Sequence, residues 1–256
     1  MILGTWNVNS LRVRLDHLGR WLGEAAPDVV CLQETKTVDA QFPADELRAM
    51  GYPHLAFAGQ KTYNGVAILS KHPLEDVHLG FRVGEPDPQP RLIRATVAGI
   101  RIFGCYVPNG GEVGSDKFAY KLAWLARLRA ELDADGGPDV PTLVCGDMNV
   151  ALTDPDVWDP FSAEGQVLYH PDERAAVARV LDWGLADAYR ALKPTGKEFS
   201  WWDYRMLGFQ KNHGFRIDHV FASPPLLGRI DEVVLHRPVR KWDKPSDHIP
   251  VTVRVR

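Results

Sequence analysis

The fold is decided by the stretch Pro141-Thr142-Leu143-Val144-Cys145-Gly146-Asp147-Met148-Asn149, in which an apolar run ends at a glycine and two polar side chains. The run predicts a buried strand. While the backbone stays extended, Asp147 and Asn149 project to the same face, because side chains alternate along a strand. A carboxylate beside a carboxamide could begin a metal or phosphate site. Taken alone, Asp and Asn after a strand are more often turn formers that bond their own backbone.

Similar apolar runs flank this stretch on both sides. Strand-like runs end at Asn9 and recur at residues 28–34, 52–58, 65–70, 92–97, 100–107, 216–222, 230–235 and 249–255. Apolar spacing and breakers predict four helices, from Leu11 to Leu22, Pro43 to Met50, Phe118 to Leu132 and Pro171 to Gly184. Several strands are hairpin-connected, which favours a mixed sheet or two packed sheets flanked by helices. No linker marks a boundary, so residues 1–256 are predicted to form one domain.

The composition is that of an ordinary soluble globular protein, with 45% hydrophobic and 25% charged residues. No window approaches the roughly 20 apolar residues of a membrane span, and no signal peptide is recognisable at the N-terminus. These features predict a cytoplasmic protein without a membrane partner. Cys31, Cys105 and Cys145 lie in apolar runs and are predicted to be buried thiols. With a net charge of −3, a polyanion partner would need a local basic surface.

Polar side chains recur at the ends of the predicted strands. They are Asn7 and Asn9, Glu34, Asn64, Tyr106 and Asn109, Asp147 and Asn149, Asp218, and Asp247 with His248. Each alone is more often structural, but Asp218 lies in an apolar run where a lone carboxylate is costly to bury. A histidine such as His248, or a metal ion, is its economical partner. His219, on the opposite face of that strand, is predicted to be a packing histidine.

The types of these side chains indicate a chemistry. Carboxylates, carboxamides and one histidine, without clustered cysteines, suit a hard cation such as Mg²⁺ or Mn²⁺. With such a metal the natural reaction is hydrolysis of a phosphate ester.

Six short motifs stand in an order typical of one enzyme family. They are Trp6-Asn-Val-Asn-Ser-Leu-Arg12, Leu32-Gln-Glu-Thr-Lys36, Tyr106-Val-Pro-Asn-Gly110, Gly146-Asp-Met-Asn149, Arg216-Ile-Asp218 and Ser246-Asp-His248. Through them the sequence resembles, essentially end to end, the exonuclease III family of apurinic/apyrimidinic endonucleases, a group of DNase I-like phosphodiesterases. The resemblance implies an α+β fold: a four-layer α/β/β/α sandwich of two packed mixed sheets flanked by helices. The site would lie where the ends of the sheets meet.

The resemblance also implies a role for each polar group. The implied metal ligands, with Glu34 as the principal one, are Asn7, Glu34, Asp147, Asn149, Asp247 and His248. The implied catalytic residues are Tyr106, Asp147, Asn149, Asp218 and His248. Asp147 would position or deprotonate the attacking water, or protonate the leaving oxygen. Asn149 would donate to the phosphoryl oxygen, and His248, held by Asp218, would contact the same phosphate.

The implied substrate is double-stranded DNA with abasic sites or 3′ ends, cleaved by a monomer. Trp201 and Phe215 would line a pocket for a flipped-out abasic deoxyribose, whereas Trp202 is predicted to be core. Substrate contacts are also expected from Arg12, Lys36 and Arg205. The expected activity is cleavage 5′ to abasic sites, with 3′→5′ exonuclease activity and 3′-end processing. The alternatives are a phosphodiesterase acting on a non-DNA phosphate ester and a catalytically silent DNA-binding module.

Overall fold

The computed structural model describes all residues from Met1 to Arg256, which form twelve strands and eight helices. The strands are β1 Ile2–Asn7, β2 Val29–Gln33, β3 His54–Ala58, β4 Val66–Ser70, β5 Glu75–Leu79, β6 Leu92–Val97, β7 Ile100–Tyr106, β8 Thr142–Asp147, β9 Ala186–Asp187, β10 Asp218–Ala222, β11 Ile230–Leu235 and β12 Val251–Val255. The helices are α1 Leu15–Ala25, α2 Ala44–Ala49, α3 Asp116–Ala134, α4 Pro160–Ala163, α5 Pro171–Leu181, α6 Ala188–Leu192, α7 Gly208–Lys211 and α8 Pro224–Leu227.

The strands form two six-stranded sheets, in the orders β11-β12-β1-β2-β4-β3 and β5-β6-β7-β8-β10-β9. Only the β1–β2 and β7–β8 pairs are parallel, and all other neighbours are antiparallel. Both sheets are therefore mixed. The hairpin-connected strands in the sequence predicted this arrangement.

The two sheets face each other across the largest apolar core, a cluster of 27 buried residues to which both contribute, for example Ile68 and Ile102. On the outer face of the first sheet, Trp21 of α1 packs edge-on against Trp6 of β1. On the outer face of the second sheet, α3 and α5 cover the strands with side chains such as Leu128. This order of helix, sheet, sheet and helix confirms the predicted four-layer sandwich. None of the helices has the length and apolar character needed to cross a lipid bilayer.

The boundaries differ from the predicted ones where local backbone geometry intervenes. Helix α1 begins at Leu15 rather than Leu11, because Asn9 and Ser10 adopt positive φ values of 44° and 87° and turn the chain first. Strands β5 and β9 were not predicted. Four of the five residues of β5 are exposed and only Val77 and Leu79 are apolar, so the sequence contains no apolar run there. The three cysteines are free and buried, as predicted.

The topology brings one set of strand ends to a single edge of the sandwich. Strands β1 and β2 run parallel, so Asn7 at the end of β1 lies beside the chain that leaves β2 toward Glu34. In the other sheet the ends of β7 and β8 pair Tyr106 with Asp147. Strand β10 is antiparallel to β8, and this places Asp218, at its start, opposite Asp147. The predicted polar residues therefore converge because of strand direction and register.

Candidate active site

Asn7 connects the two sheets at the centre of this edge. Its buried amide Nδ2 donates to Glu34 Oε1 at 2.8 Å and to Asp147 Oδ2 at 2.9 Å. The Tyr106 hydroxyl donates to the same Glu34 oxygen at 2.9 Å. Burial raises the pKa of Tyr106 well above its usual range, so the phenol keeps its proton and remains a donor. Two carboxylates from different sheets are thus held side by side.

Asp147 combines the two roles that the sequence left open, turn former and site residue. Its Oδ1 accepts from the backbone N–H of Asn149 at 2.9 Å, and its Oδ2 faces Asn7. The backbone does not stay extended, because Asn149 has a φ of 50°. Gly146, which precedes Asp147, has a φ of 142°, and a Cβ at this position would lie 1.9 Å from the Cys105 carbonyl oxygen. Only glycine lets the strand approach this closely.

Asn149 lies in a turn and is held by its neighbours. Its Nδ2 donates to the Val107 carbonyl at 2.9 Å, and its Oδ1 accepts from Asn109 Nδ2 at 3.1 Å. Asn149 and Asn109 therefore form an amide pair beside the Asp147 turn. Asn109 lies in a predicted motif, but the sequence did not assign it to the site.

His248 lies between two carboxylates, as the burial of Asp218 required. Its Nδ1 is 2.8 Å from Asp218 Oδ2, and its Nε2 is 3.7 Å from Asp147 Oδ2. Burial alone would lower the pKa of His248, but the charges of Asp218 and Asp147 raise it to about 10. Burial raises the pKa of Asp147 to about 7, against the opposing effect of His248. The site thus holds a protonated imidazole beside a carboxyl group that titrates near neutrality.

The donor set fits a hard divalent cation. Potential ligand atoms of Glu34, Asp147 and His248 all lie within 4.8 Å of one another. Burial would raise the pKa of Glu34, but the Lys36 ammonium 2.6 Å from its Oε2 holds that pKa below its usual range, so Glu34 is ionised. Oxygen-rich sites with surplus carboxylate charge are the kind that Mg²⁺ and Mn²⁺ occupy. A protonated His248 is suited to donating a hydrogen bond rather than to ligating a metal.

Asp247 lies next to this group rather than inside it. Its Oδ1 accepts from Asn9 Nδ2 and its Oδ2 from Trp201 Nε1, both at 2.9 Å. Lys36 connects Asn9, and through it Asp247, to Glu34. Its ammonium donates to Asn9 Oδ1 at 2.6 Å and is ion-paired with Glu34. Lys36 therefore lies among the predicted metal ligands, although the sequence suggested a substrate contact. Asp247 stays a predicted ligand.

The predicted substrate-binding residues separate into two groups. Trp201 and Phe215 lie together next to the site, with ring centroids 5.9 Å apart and Trp201 6.4 Å from the His248 ring. Arg205 is mostly exposed and bonded to Asp203, and it lines the same cavity as Trp201 and Phe215. Arg12 is exposed, is bonded to Gln41 and does not line this cavity. Trp202 is fully buried, as predicted.

One buried cation behind the site was missed. The Lys121 ammonium, which has no exposed surface, donates to the backbone carbonyls of Asn109 at 3.0 Å and Asn149 at 2.6 Å, and it forms an ion pair with Glu173. It therefore fixes both amide-bearing loops to α3 and α5. A signal was available, because Lys121 lies three residues after Phe118 and four before Leu125, on the buried face of the predicted helix.

The chain matches the profile of the Endonuclease/Exonuclease/phosphatase family over residues 4–248. Exodeoxyribonuclease III of Haemophilus influenzae is 35% identical over 259 aligned residues, which cover 96% of this chain and 97% of that protein. The DNA repair nuclease APEX1 of Danio rerio is 33% identical, over 99% of this chain and 81% of that protein.

Solved structures agree with the sequence relatives. The 3′ phosphatase NExo from Neisseria, bound to a product DNA hairpin, superposes with a TM-score of 0.97 at 39% identity and covers 100% of this chain and 99% of that one. An AP endonuclease from Archaeoglobus fulgidus has a TM-score of 0.96 at 38% identity with the same coverage. Because identity and structural agreement extend over the whole chain, including every motif that supplies the site, this protein belongs to the exonuclease III family of apurinic/apyrimidinic endonucleases.

Proposed function

We propose that this protein is a Mg²⁺- or Mn²⁺-dependent DNA repair nuclease. It hydrolyses the phosphodiester 5′ to abasic sites, leaving a 3′-hydroxyl, and it also removes nucleotides and blocking groups from 3′ ends. The observation that carries the proposal is the convergence of Glu34, Asp147 and the Asp218–His248 pair at one edge of the sandwich. The named activities of the relatives, all on DNA or its 3′ ends, support a DNA substrate. All these side chains come from one chain, which is consistent with a monomer.

Each side chain has a part that follows from its environment. The Asp147 carboxylate accepts the proton of the attacking water, and a pKa of about 7 gives it enough basicity at neutral pH. His248, kept protonated and oriented by Asp218, donates its Nε2–H to a phosphoryl oxygen. The amides of Asn149 and Asn109 each have a second N–H besides the one bonded within the protein. We assign these N–H groups to the same phosphate, as donors to the negative charge that increases there. The metal, held by Glu34 with Asn7 and Asp247 alongside, would supply Lewis-acid polarisation of the phosphate.

A duplex with a single internal abasic analogue tests this proposal. With Mg²⁺ we expect one nick on the 5′ side of the analogue, and with EDTA none. Asp147→Asn, which removes the base and keeps the side-chain shape, should reduce single-turnover cleavage by at least ~100-fold, the usual range for a general base.

The same assay distinguishes the rival functions. Absence of any metal-dependent nick, or equal nicking by Asp147→Asn, would contradict the proposal. Faster hydrolysis of an inositol phosphate than of the duplex would favour the non-DNA phosphodiesterase. Retention of the duplex in a gel-shift assay without cleavage would favour the silent binding module.

A further inference from the structure

A cavity of about 580 Å³ is lined in part by Trp201, whose ring centroid lies 6.4 Å from that of His248. Three of its walls are aromatic, supplied by Trp158, Trp201 and Phe215. The backbone ties these walls to the site, because Trp201 forms isolated antiparallel bridges with both Phe215 and His248. The walls formed by Trp201 and Phe215 are therefore fixed relative to His248.

Trp158 was not assigned a function by the sequence, and its environment is unusual for a core residue. Its ring is stacked on His213, with centroids 3.7 Å apart and planes 10° from parallel. Its backbone N–H donates to the Gly214 carbonyl at 3.1 Å, and Val157 before it pairs with Phe215. Nevertheless 38% of Trp158 is exposed. One face of the indole is thus supported and the residue is anchored, while the remainder lines the cavity.

The size of the cavity bears on what it holds. Pockets of about 300–1,000 Å³ accommodate drug-sized ligands, so this one has room for a complete nucleotide. A deoxyribose without its base needs much less. Cleavage 5′ to an abasic site and removal of a 3′-terminal nucleotide break the same bond, on the 5′ side of the residue in the pocket. The terminal nucleotide carries a base that the abasic residue lacks, and it ends in a 3′-hydroxyl where the abasic residue continues into a phosphodiester.

We propose that Trp158, supported by His213, is a stacking platform for the base of an unpaired 3′-terminal nucleotide, so that the cavity is a nucleotide subsite for exonuclease activity. This inference rests on the proposed function. Base–aromatic stacking is tolerant of sequence, because every base has a π-face. The platform therefore accepts any of the four bases, and its contribution vanishes when the residue has none.

Single-turnover cleavage of two duplexes tests the platform. One duplex carries a mismatched 3′-terminal nucleotide, and the other carries an internal tetrahydrofuran abasic analogue in the same sequence. In Trp158→Ala, the loss on the base-bearing end should exceed the loss on the abasic duplex by about tenfold, as for removal of a stacking partner. Trp158→Leu keeps an apolar side chain without a planar face. It should therefore also lose more activity on the base-bearing end than on the abasic duplex. The matched control is Phe161→Ala, since Phe161 is 94% exposed and does not line the cavity.

A second readout does not depend on cleavage. With 2-aminopurine at the mismatched 3′ terminus and EDTA present, binding of the wild-type protein should quench the fluorescence by stacking, and Trp158→Ala and Trp158→Leu should remove most of this quenching. Equal losses on both duplexes, or unchanged quenching in correctly folded variants, would overturn the platform. If the wild-type protein cleaves neither duplex with Mg²⁺, the proposed function fails, and the quenching in EDTA alone decides the base subsite.

Discussion

Two buried carboxylate clusters lie on opposite faces of β10, and they differ in the charge that balances them. Asp218 and His219 are consecutive, so their side chains point to opposite sides of the strand. One cluster, called the catalytic cluster after the role proposed for it above, consists of Asp147, Asp218 and His248. The arginine cluster consists of Asp156, Asp187, Arg216 and His219. Each places two carboxylates around a histidine at nearly complete burial.

In the arginine cluster a permanent cation, the Arg216 guanidinium, faces both carboxylates. Arg216 Nε lies 2.7 Å from Asp156 Oδ1, and its Nη2 lies 2.7 Å from Asp187 Oδ2. Its Nη1 is 3.0 Å from His219 Nδ1. A guanidinium can only donate, so Nδ1 accepts and His219 Nε2–H donates to the Val150 carbonyl at 2.8 Å. The tautomer is fixed, and His219 has the structural role that the sequence predicted.

Whether the pKa of each buried carboxyl group is raised or lowered depends on the cation that faces it. Burial would raise the pKa values of Asp156 and Asp187, but Arg216 holds both below the usual range. Burial raises the pKa of Asp147 to about 7, because the balancing charge there is a histidine that itself titrates. A buried carboxyl group can therefore exchange protons near neutral pH only where no permanent cation faces it. This contrast explains why one cluster is suited to catalysis and the other to stability.

The largest expected effect comes from removing the permanent cation. Arg216→Met removes the guanidinium that Asp156 and Asp187 share. Asp156 keeps Arg190, but Asp187 is left without an arginine, and breaking such a buried pair typically costs about 3–5 kcal/mol in the free energy of unfolding. Urea unfolding of the metal-free protein measures the loss. We expect an apparent Tm lower by roughly 10 °C, given about 2–4 °C per kcal/mol for a chain of this size.

A double variant serves as the control for this experiment. Arg216→Met combined with Asp187→Asn removes the carboxylate that loses its arginine and should recover part of the loss. A loss below about 1 kcal/mol in the single variant, within the usual range of surface ion pairs, would show that Arg216 does not balance the cluster.

The next effect is a pH dependence confined to the catalytic cluster. The folded-state pKa of His248, about 10, is raised above its ordinary value of 6.5. Its contribution to stability is therefore complete below pH 6.5 and is lost as the pH rises through 10. In EDTA, the difference in free energy of unfolding between wild type and His248→Gln, measured by urea unfolding, should shrink from pH 7 to pH 10. The change should be at least ~1.4 kcal/mol, the equivalent of one pKa unit.

The arginine cluster supplies the reference for that measurement. Asp156 has a lowered pKa, so it is ionised throughout this range, and the loss caused by Asp156→Asn should be the same at pH 7 and pH 10. If the His248→Gln difference were equally constant, the carboxylates around His248 would not be holding its proton.

The catalytic cluster could be predicted from the sequence to a larger extent than the arginine cluster. Asp218 interrupts an apolar run, and that alone required a partner such as His248. Asp147 and Glu34 follow apolar strands whose ends must meet at a sheet edge. Asp156 and Asp187 lie in irregular or short segments without periodicity, so nothing local indicated that they converge on Arg216. Contacts of 60 residues' separation, as between Asp156 and Arg216, become visible only when the fold is known.

Backbone geometry limited the prediction within the site itself. Glu34, Lys36 and Asn149 have positive φ values of 53°, 52° and 50°. These conformations are uncommon for residues other than glycine and cluster at functional sites. They turn Lys36 toward Glu34 and Asn9, a direction that alternation along an extended strand does not give.

The smallest effect tests the contrast most directly. An Asp→Asn substitution should increase the free energy of unfolding in the catalytic cluster and decrease it in the arginine cluster. A raised pKa means that ionised Asp147 is disfavoured in the folded state, so stability falls as the pH rises from 3.8 to about 7. At pH 8 in EDTA, Asp147→Asn should therefore be more stable than wild type by about 1 kcal/mol, a gain reduced by the weakened contacts with Asn7 and His248. Asp187→Asn should lose stability under the same conditions. Urea unfolding measures the change in free energy of unfolding for both variants. If Asp147→Asn destabilised the protein as much as Asp187→Asn does, the charges of the two carboxylates would be equally well compensated by their neighbours.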